Sequence, residues 1–431
     1  MSSSLVPGLP VAGPEPSPRR PTDWSARPLQ RRLARRYAAE RGFRLAGLAA
    51  VWLAAGFLAF LLGTMVWQGA GGFAETRIAL PLDLARSRVA LDPARLRTPG
   101  ADFALAGAGL EGAVDAAATA TFPRAGGAEL LSDGAWLRVR DAIKADASLL
   151  ARPVVLEVPV NSAVDVAYKG EGTPDAERIV AALGPRLSLG PAIGFLTGAD
   201  ATDPTRAGIW GALKGSLLTM AVTLALAFPV GVLAALYLEE FAPRNRWTDL
   251  IEVSINNLAA VPSIIFGLLG LAIFLGTLGL PRSAPLVGGL TLALMTMPVI
   301  VISARNAVRA VPLSIRDAAL SVGASPVQVV FHHVVPLALP GILTGTIIGM
   351  ARALGETAPL LLIGMRAFIA APPAGVREPA TVLPVQIFLW SDEVSRGFVE
   401  KTSAAIIVLL VVLLLMNGLA IYLRDRFERR W

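Results

Sequence analysis

Cysteine is absent from this chain of 431 residues, and histidine occurs only as the adjacent pair His332 and His333. Without thiols there is neither a disulfide framework nor a thiolate metal site. Adjacent side chains point different ways on a helix, so the two histidines make a poor metal pair. No metal site is expected. Charge is scarce as well: 16% of the residues are charged, against about 25% in an ordinary soluble domain. What is present is apolar, with 54% hydrophobic residues and a mean hydropathy of +0.60. This is the composition of a membrane protein. The formal charge of +7 does not indicate nucleic acid, because the arginines cluster beside hydrophobic runs.

A membrane span needs about 20 mostly apolar residues. Six such runs are read: Leu45–Trp67, Leu213–Leu238, Ile251–Leu275, Leu286–Ala304, Leu337–Met365 and Ala404–Leu423. Arg19, Arg20, Arg27, Arg31, Arg32, Arg35, Arg36, Arg41 and Arg44 precede the first run, and Arg424, Arg426, Arg429 and Arg430 follow the last. Arg305, Arg309 and Arg316 lie between the fourth and fifth. An even number of spans puts both termini on one side, and positive-inside bias makes that side the cytoplasm. The first run is too long, and its basic flank too extended, for a cleaved signal peptide. The Pro- and Ser-rich first twenty or so residues are expected to be disordered.

Between the first two spans lies an insert, residues 71–208, placed outside the cytoplasm by this topology and long enough for a small core. Val154–Val158 and Val164–Tyr168 read as strands. Asp175–Leu183 reads as a short helix ending at Gly184-Pro185, and Ser132–Ile143 leans towards helix. The insert is therefore expected to be α+β. It contains Gly107-Ala-Gly109-Leu-Glu-Gly112, but a dinucleotide site needs a strand before and a helix after such glycines. Alanine- and glycine-rich surroundings make this a chance match. Lys214-Gly215-Ser216 has the wrong order for a phosphate loop, and no segment supplies an ATPase core.

The most informative run is the fifth. Gly341, Gly345 and Gly349 are four apart and make a flat face for close helix packing. Arg352 and Glu356, also four apart, share a face on a continuous helix. At about 100° per residue that face lies roughly 60° from the glycine stripe. Ionisable residues at membrane depth are costly and mark a substrate path or a moving joint. Two readings stay open for the pair: a path or gate for an anion, or a structural salt bridge.

Before this helix comes a loop, residues 305–336. Asp317-Ala318-Ala319 and Gly323 form a short helix and a sharp turn. Ser325, Pro326 and Gln328 then supply a capping box with proline at the first helical position. Pro336 and Pro340 are expected to set the entry to the fifth span. Long loops with helices of their own are more often functional than idle.

Asp-Ala-Ala, three residues, Gly, then a spaced Pro resembles the permease loop of ATP-binding-cassette (ABC) importers. In that family the short helix docks on the ATPase subunit, a role that falls here on Asp317, Ala318, Ala319, Gly323 and Ser325. Asp317 stands where the family usually has Glu. Gly355-Glu356-Thr357-Ala358-Pro359-Leu360-Leu361 looks like the signature of the phosphate-importer permeases of the PstA type. So do Asn256-Asn257 through Pro262-Ser263 and Gly267, Leu383-Pro384-Val-Gln386, and Tyr237-Leu-Glu239-Glu240 through Pro243. The resemblance runs from about Trp210 to the end.

The resemblance implies an all-α polytopic membrane protein of six transmembrane helices, with the ABC importer type I permease fold and the extracytoplasmic α+β insert. The divisions expected are a basic cytoplasmic segment 1–44, a first transmembrane helix 45–67, the insert 71–208, a permease core 210–424 and a cytoplasmic tail 424–431. The chain is expected to be non-catalytic and to bind no cofactor, ATP and Mg belonging to partner ATPase subunits. The implied partners are a sister permease (PstC type), an ATPase dimer (PstB type), a periplasmic phosphate-binding protein (PstS type), phosphate and membrane lipid. The implied location is the bacterial inner membrane, and the implied activity is phosphate import by alternating access. Arg352 is the leading path residue, since guanidinium suits phosphate, with Glu356 restraining it. Thr357, Asn256, Asn257 and Ser263 are further path candidates, the last three equally readable as caps or packing. Another oxyanion (molybdate, sulfate, phosphonate) or a membrane-anchored phosphate sensor are the alternatives.

Overall fold

The computed structural model describes residues 27–87 and 101–427. The Pro- and Ser-rich start, Arg19, Arg20, and the tail from 428 with Arg429 and Arg430 lie outside the described residues. The chain divides into two units, Met1–Gly63 and Thr64–Trp431.

The described part of the first unit is helical, lying within helix α1 (Arg27–Ala70). Its arginines stand exposed, Arg44 pairing with Glu40 one turn away at 2.6 Å. The basic flank and the start of the apolar run therefore belong to the same helix.

The second unit begins with the insert. Strand β1 (Ala74–Leu82) is central in a three-stranded antiparallel sheet of order β2-β1-β3, between β2 (Val154–Pro159) and β3 (Leu187–Pro191). Alternate residues of β1 enter the core: Ile78 and Leu80 are fully buried. They meet Val114 of α3 (Leu110–Thr121) and Val139 and Ile143 of α4 (Ala135–Ala145). The short α2 (Ala101–Gly107) precedes α3. A helix, not a strand, therefore leads into Gly109, whose φ of +76 makes a left-handed link between helices.

Residues 164–168 do not form a strand. They lie in helix α5 (Ser162–Tyr168), whose Asn161 cap accepts from Val164 N at 2.9 Å. Asp165 then turns inward to accept from the Thr76 backbone N–H at 2.7 Å. The expected helix at 175–183 is α6 (Pro174–Leu183), capped by Thr173, and the region leaning towards helix at 132–143 is α4. The insert ends with α7 (Ile193–Thr197).

Four long apolar helices of this unit pass the length and hydropathy of a membrane span, and a bent pair adds a further one. They are α8 (Trp210–Leu236), α11 (Pro285–Arg309), α14 (Val335–Gly355) with its preceding turns, and α17 (Gly397–Phe427). With α1 this makes up to six spans among the described residues. The third run is not one straight helix. It breaks into α9 (Arg246–Ala259) and α10 (Ser263–Gly270), bent by 101°. Pro262 sits at the break with an extended ψ of 137° and no N–H to offer a helical carbonyl.

The fifth run also differs from a single span. The second short helix of the loop, α13 (Pro326–Gln328), passes without a break into a wide turn, Val329–Val334, and then into α14. Pro336 and Pro340 are therefore carried inside a continuous rod, Pro326–Gly355, rather than marking its entry. The wide turn absorbs the register change that missing proline donors require. The rod stops at Gly355. Glu356 is extended (ψ 127°), and α15 (Ala358–Leu362) begins anew. Pro359 cannot bond back to the Gly355 carbonyl, so Arg352 and Glu356 do not share a continuous helix. Helix α16 (Leu383–Ser391) completes the unit.

Candidate functional site

Two places in the second unit concentrate chemistry. The first is the end of α14. Gly341, Gly345 and Gly349 lie against α11. A Cβ on Gly341 would sit 2.7 Å from Ala307 Cβ, one on Gly349 2.9 Å from Thr296 Cγ2, and one on Gly345 would overlap Ser303. This close approach fixes where α14 ends. There the chain leaves the helix, yet the Glu356 carboxylate returns to Arg352, Oε1 lying 3.4 Å from Nε. The Arg352 side chain is 48% exposed and that of Glu356 18%. Thr357 is half-buried beside them. Pro359 abuts Gly267 of α10, and Leu360, Ile363 and Met365 anchor the break in a buried cluster with Val287, Leu354 and Val385. The break is therefore rigidly seated, while the guanidinium is open to a partner.

Asn256 and Asn257 are exposed on α9, and Ser263 begins α10. Among the described residues no hydrogen bond or ion pair joins them, or Thr357, to the Arg352–Glu356 pair.

The second place is the loop 305–336. Helix α12 (Leu313–Ser321) carries Asp317 and Ala318 exposed and Ala319 buried. Leu313, Leu320 and Val322 are exposed apolar side chains around them. Gly323 turns the chain with φ +90, a conformation glycine adopts without steric cost. The Ser325–Gln328 capping box is complete: Gln328 N–H donates to Ser325 Oγ at 3.3 Å, and Ser325 N–H to Gln328 Oε1 at 2.9 Å. One face of α12 is buried and the other presents an acid and apolar residues.

Beneath α12 lies an ion-pair network that sequence reasoning missed. Helix α8 ends in a wide turn, Tyr237–Phe241, which aims Glu239 and Glu240 at the loop. Glu239 accepts from Arg305 at 2.6 Å and Arg309 at 2.8 Å. Arg305 also reaches Glu252 of α9 at 2.8 Å. Glu240 accepts from Arg316 of α12 at 2.7 Å. The Arg316 guanidinium donates further to Val308 O and Val311 O at 3.0 and 2.6 Å. These groups border an open cavity of about 600 Å³. The arginines had been legible only as a topology signal; the acidic pair closing an apolar run was the cue to their partners.

A third polar group ties the insert's last segment to α16. Asp200 Oδ1 accepts from Trp390 Nε1 and from the Ala201 N–H, both at 3.0 Å. Burial raises the Asp200 carboxyl above the usual carboxylate range, and these donors pull it partly back. The Lys214-Gly215-Ser216 run is packing: Gly215 lies against the Thr381 carbonyl, and Ser216 Oγ accepts from Leu383 N–H at 2.8 Å. Among the described residues no cluster of metal-ligating side chains occurs.

Two family profiles match. A domain of unknown function covers residues 30–178, and the binding-protein-dependent transport system inner membrane component covers 227–431. Among relatives, the Phosphate transport system permease protein PstA 1 of Mycobacterium tuberculosis (strain CDC 1551 / Oshkosh) is 35% identical over 156 residues, 36% of this chain and 51% of that protein. The Bacillus subtilis (strain 168) protein named Probable ABC transporter permease protein YqgI is 31% identical over 206 residues, 45% of this chain and 69% of that protein. The chain thus spans about half the length of the first of these relatives. A chain in an inward-facing structure of the MetNI methionine ABC transporter matches over 51% of this chain and 98% of that one, at 19% identity and a TM-score of 0.39. By its match to the transport profile and to the Bacillus relative, the chain belongs to the ABC transporter permeases, the membrane components of binding-protein-dependent transport systems.

Proposed function

We propose that this chain is a PstA-type permease subunit of an ATP-driven importer of inorganic phosphate. It forms half of a heterodimeric pore with a sister permease. A pair of ATPase subunits docks on α12 from the cytoplasm, and a periplasmic phosphate-binding protein delivers the anion. The subunit itself is non-catalytic. It is placed in the inner membrane with both termini cytoplasmic, an orientation that the arginines flanking the first and last spans support.

The observation that carries the reading is the half-exposed Arg352 at a helix break. A guanidinium at membrane depth costs several kcal/mol unless it is solvated or paired. Glu356 supplies one partner at 3.4 Å and leaves the rest of the fork open. A multiply hydrogen-bonding oxyanion fits such a fork. Glu356 competes for the same donors, so the anion is held weakly enough to leave. Docked ATPase motion enters through α12 and reaches this break through α11 and the glycine contacts of α14.

Phosphate uptake by the assembled complex tests this. Arg352→Gln and Glu356→Gln each remove a charge-assisted hydrogen bond, and about tenfold slower uptake is expected from one such bond. Normal uptake in both variants, with normal assembly, sinks the path role. Uptake of molybdate or sulfate in preference to phosphate would reassign the substrate.

A further inference from the structure

Among the described residues, Arg316 is the side chain through which α12 forms its ion pair, and its partner is Glu240. Both side chains are nearly buried, at 15% and 12% exposure. The same guanidinium ties the Val308 carbonyl near the end of α11 and the Val311 carbonyl just beyond it. Ala319, Val308, Val311, Val330 and Leu236 close an apolar cluster around it. The ATPase-facing helix is thus fastened by one planar fork to the ends of α8 and α11 at once. Glu239 and Arg305 extend the attachment to α9. Helix α11 in turn meets α14 across the contacts of Gly341, Gly345 and Gly349.

We propose that Glu240 and Arg316 are positioning residues that transmit the displacement of α12 to α8 and α11, and so to the break after Gly355. A carboxylate and a guanidinium joined in a fork resist rotation as well as separation. A lysine lacks that planar fork. The apolar contacts of α12 alone are non-directional and permit it to slide. The proposal rests on the import reading only through the existence of docked ATPase subunits.

The chain has no cysteine, so a single Ile348→Cys on the exposed side of α14 reports the motion of that helix. The cysteine is given a nitroxide spin label in detergent, and the complex with its ATPase subunits is followed by EPR in lipid, with and without ATP trapped by vanadate. The labelled Ile348→Cys parent is expected to change its EPR line shape on trapping. Glu240→Gln and Arg316→Lys should each cut that change by about tenfold, the factor set by one charge-assisted hydrogen bond, while assembly and ATPase activity persist. The exchanged pair Glu240→Arg with Arg316→Glu should recover part of the response. A purely structural role would lower the yield of complex and leave the response of what assembles unchanged.

An undiminished ATP response in Glu240→Gln or Arg316→Lys overturns the proposal. Failure of both variants to assemble overturns it too, because the pair would then serve assembly rather than motion. A parent complex that responds to trapping but moves no phosphate sinks the phosphate reading and leaves the joint standing.

Discussion

The junction of the insert with α17 and the junction of α12 with α8 are both built from buried charge, but by different means. At the insert, Lys169 Nζ donates to the carbonyls of Gly71 and Ala74 and to the carboxylates of Asp165 and Glu400, all within 2.8–3.0 Å. Lys401 donates to Gly72 O at 3.0 Å and lies over the Phe195 ring. A Cβ on Gly72 would sit 2.7 Å from Ala404 Cβ, so backbone closes on backbone there. At α12 the Arg316 guanidinium forks onto the Glu240 carboxylate and also donates to the Val308 and Val311 carbonyls, beside an open cavity. Both junctions use backbone carbonyls, and the close packing at Gly72 is what distinguishes the anchor. Guanidinium–carboxylate forks beside free space make a joint whose parts stay together while the whole moves. The expected consequence is a stiff insert junction and a more compliant loop side.

The largest expected effect comes from breaking the anchor. Lys169→Met leaves Asp165 and Glu400 buried without their cation. Removing one partner of a buried pair costs about 3–5 kcal/mol, so a large drop in thermal midpoint and early proteolysis of the insert are expected. Limited proteolysis read by mass spectrometry checks this. If the insert stays protected, the anchor is redundant and the contrast with the α12 joint weakens.

A smaller effect is expected from Gly345→Val. Its branched side chain would overlap Ser303, and overpacking of this kind costs about 1–3 kcal/mol. The strain falls between α11 and α14, so the ATP-dependent response of α14 should fall while the insert keeps its protease resistance. Pairing it with Ser303→Gly should restore part of the response. Loss of insert protection instead would show that the two junctions are not separable.

What the sequence revealed follows the range of the interaction. The apolar runs, the turn at Gly323 and the Ser325–Gln328 capping box depend on near neighbours, and all are present. The alternation Val164-Asp-Val-Ala-Tyr168 suggested a strand, but Asn161 caps a helix there and Asp165 binds Thr76, 89 residues away. Pro262 and Pro359 stand at helix breaks, as a residue without a backbone donor does. The size of the bend at Pro262 and the early stop at Gly355 depend on what packs beside them. The Arg352–Glu356 pair was legible because it spans four residues, although the two do not share a continuous helix. The Glu239, Glu240 and Glu252 partners of Arg305, Arg309 and Arg316 were not, because they join segments some 50 to 80 residues apart, and nothing local distinguishes a buried arginine from a topological one.

The smallest effect belongs to a single acid near the anchor. Asp200 is half-buried, and its carboxyl is raised by burial against the pull of Trp390 and Ala201. A group whose folded value lies above its unfolded one supports the folded state fully below the unfolded value, about 3.9 for Asp. That support is lost as pH rises through the higher folded value. The thermal midpoint should thus contain a component that declines as pH rises from about 4 into the range above the folded value. Asp200→Asn keeps an oxygen acceptor for Trp390 Nε1 and carries no titrating proton, so it should remove that component alone. A slope left unchanged by Asp200→Asn would take the pH response away from this acid and assign it to other buried carboxyls of the fold.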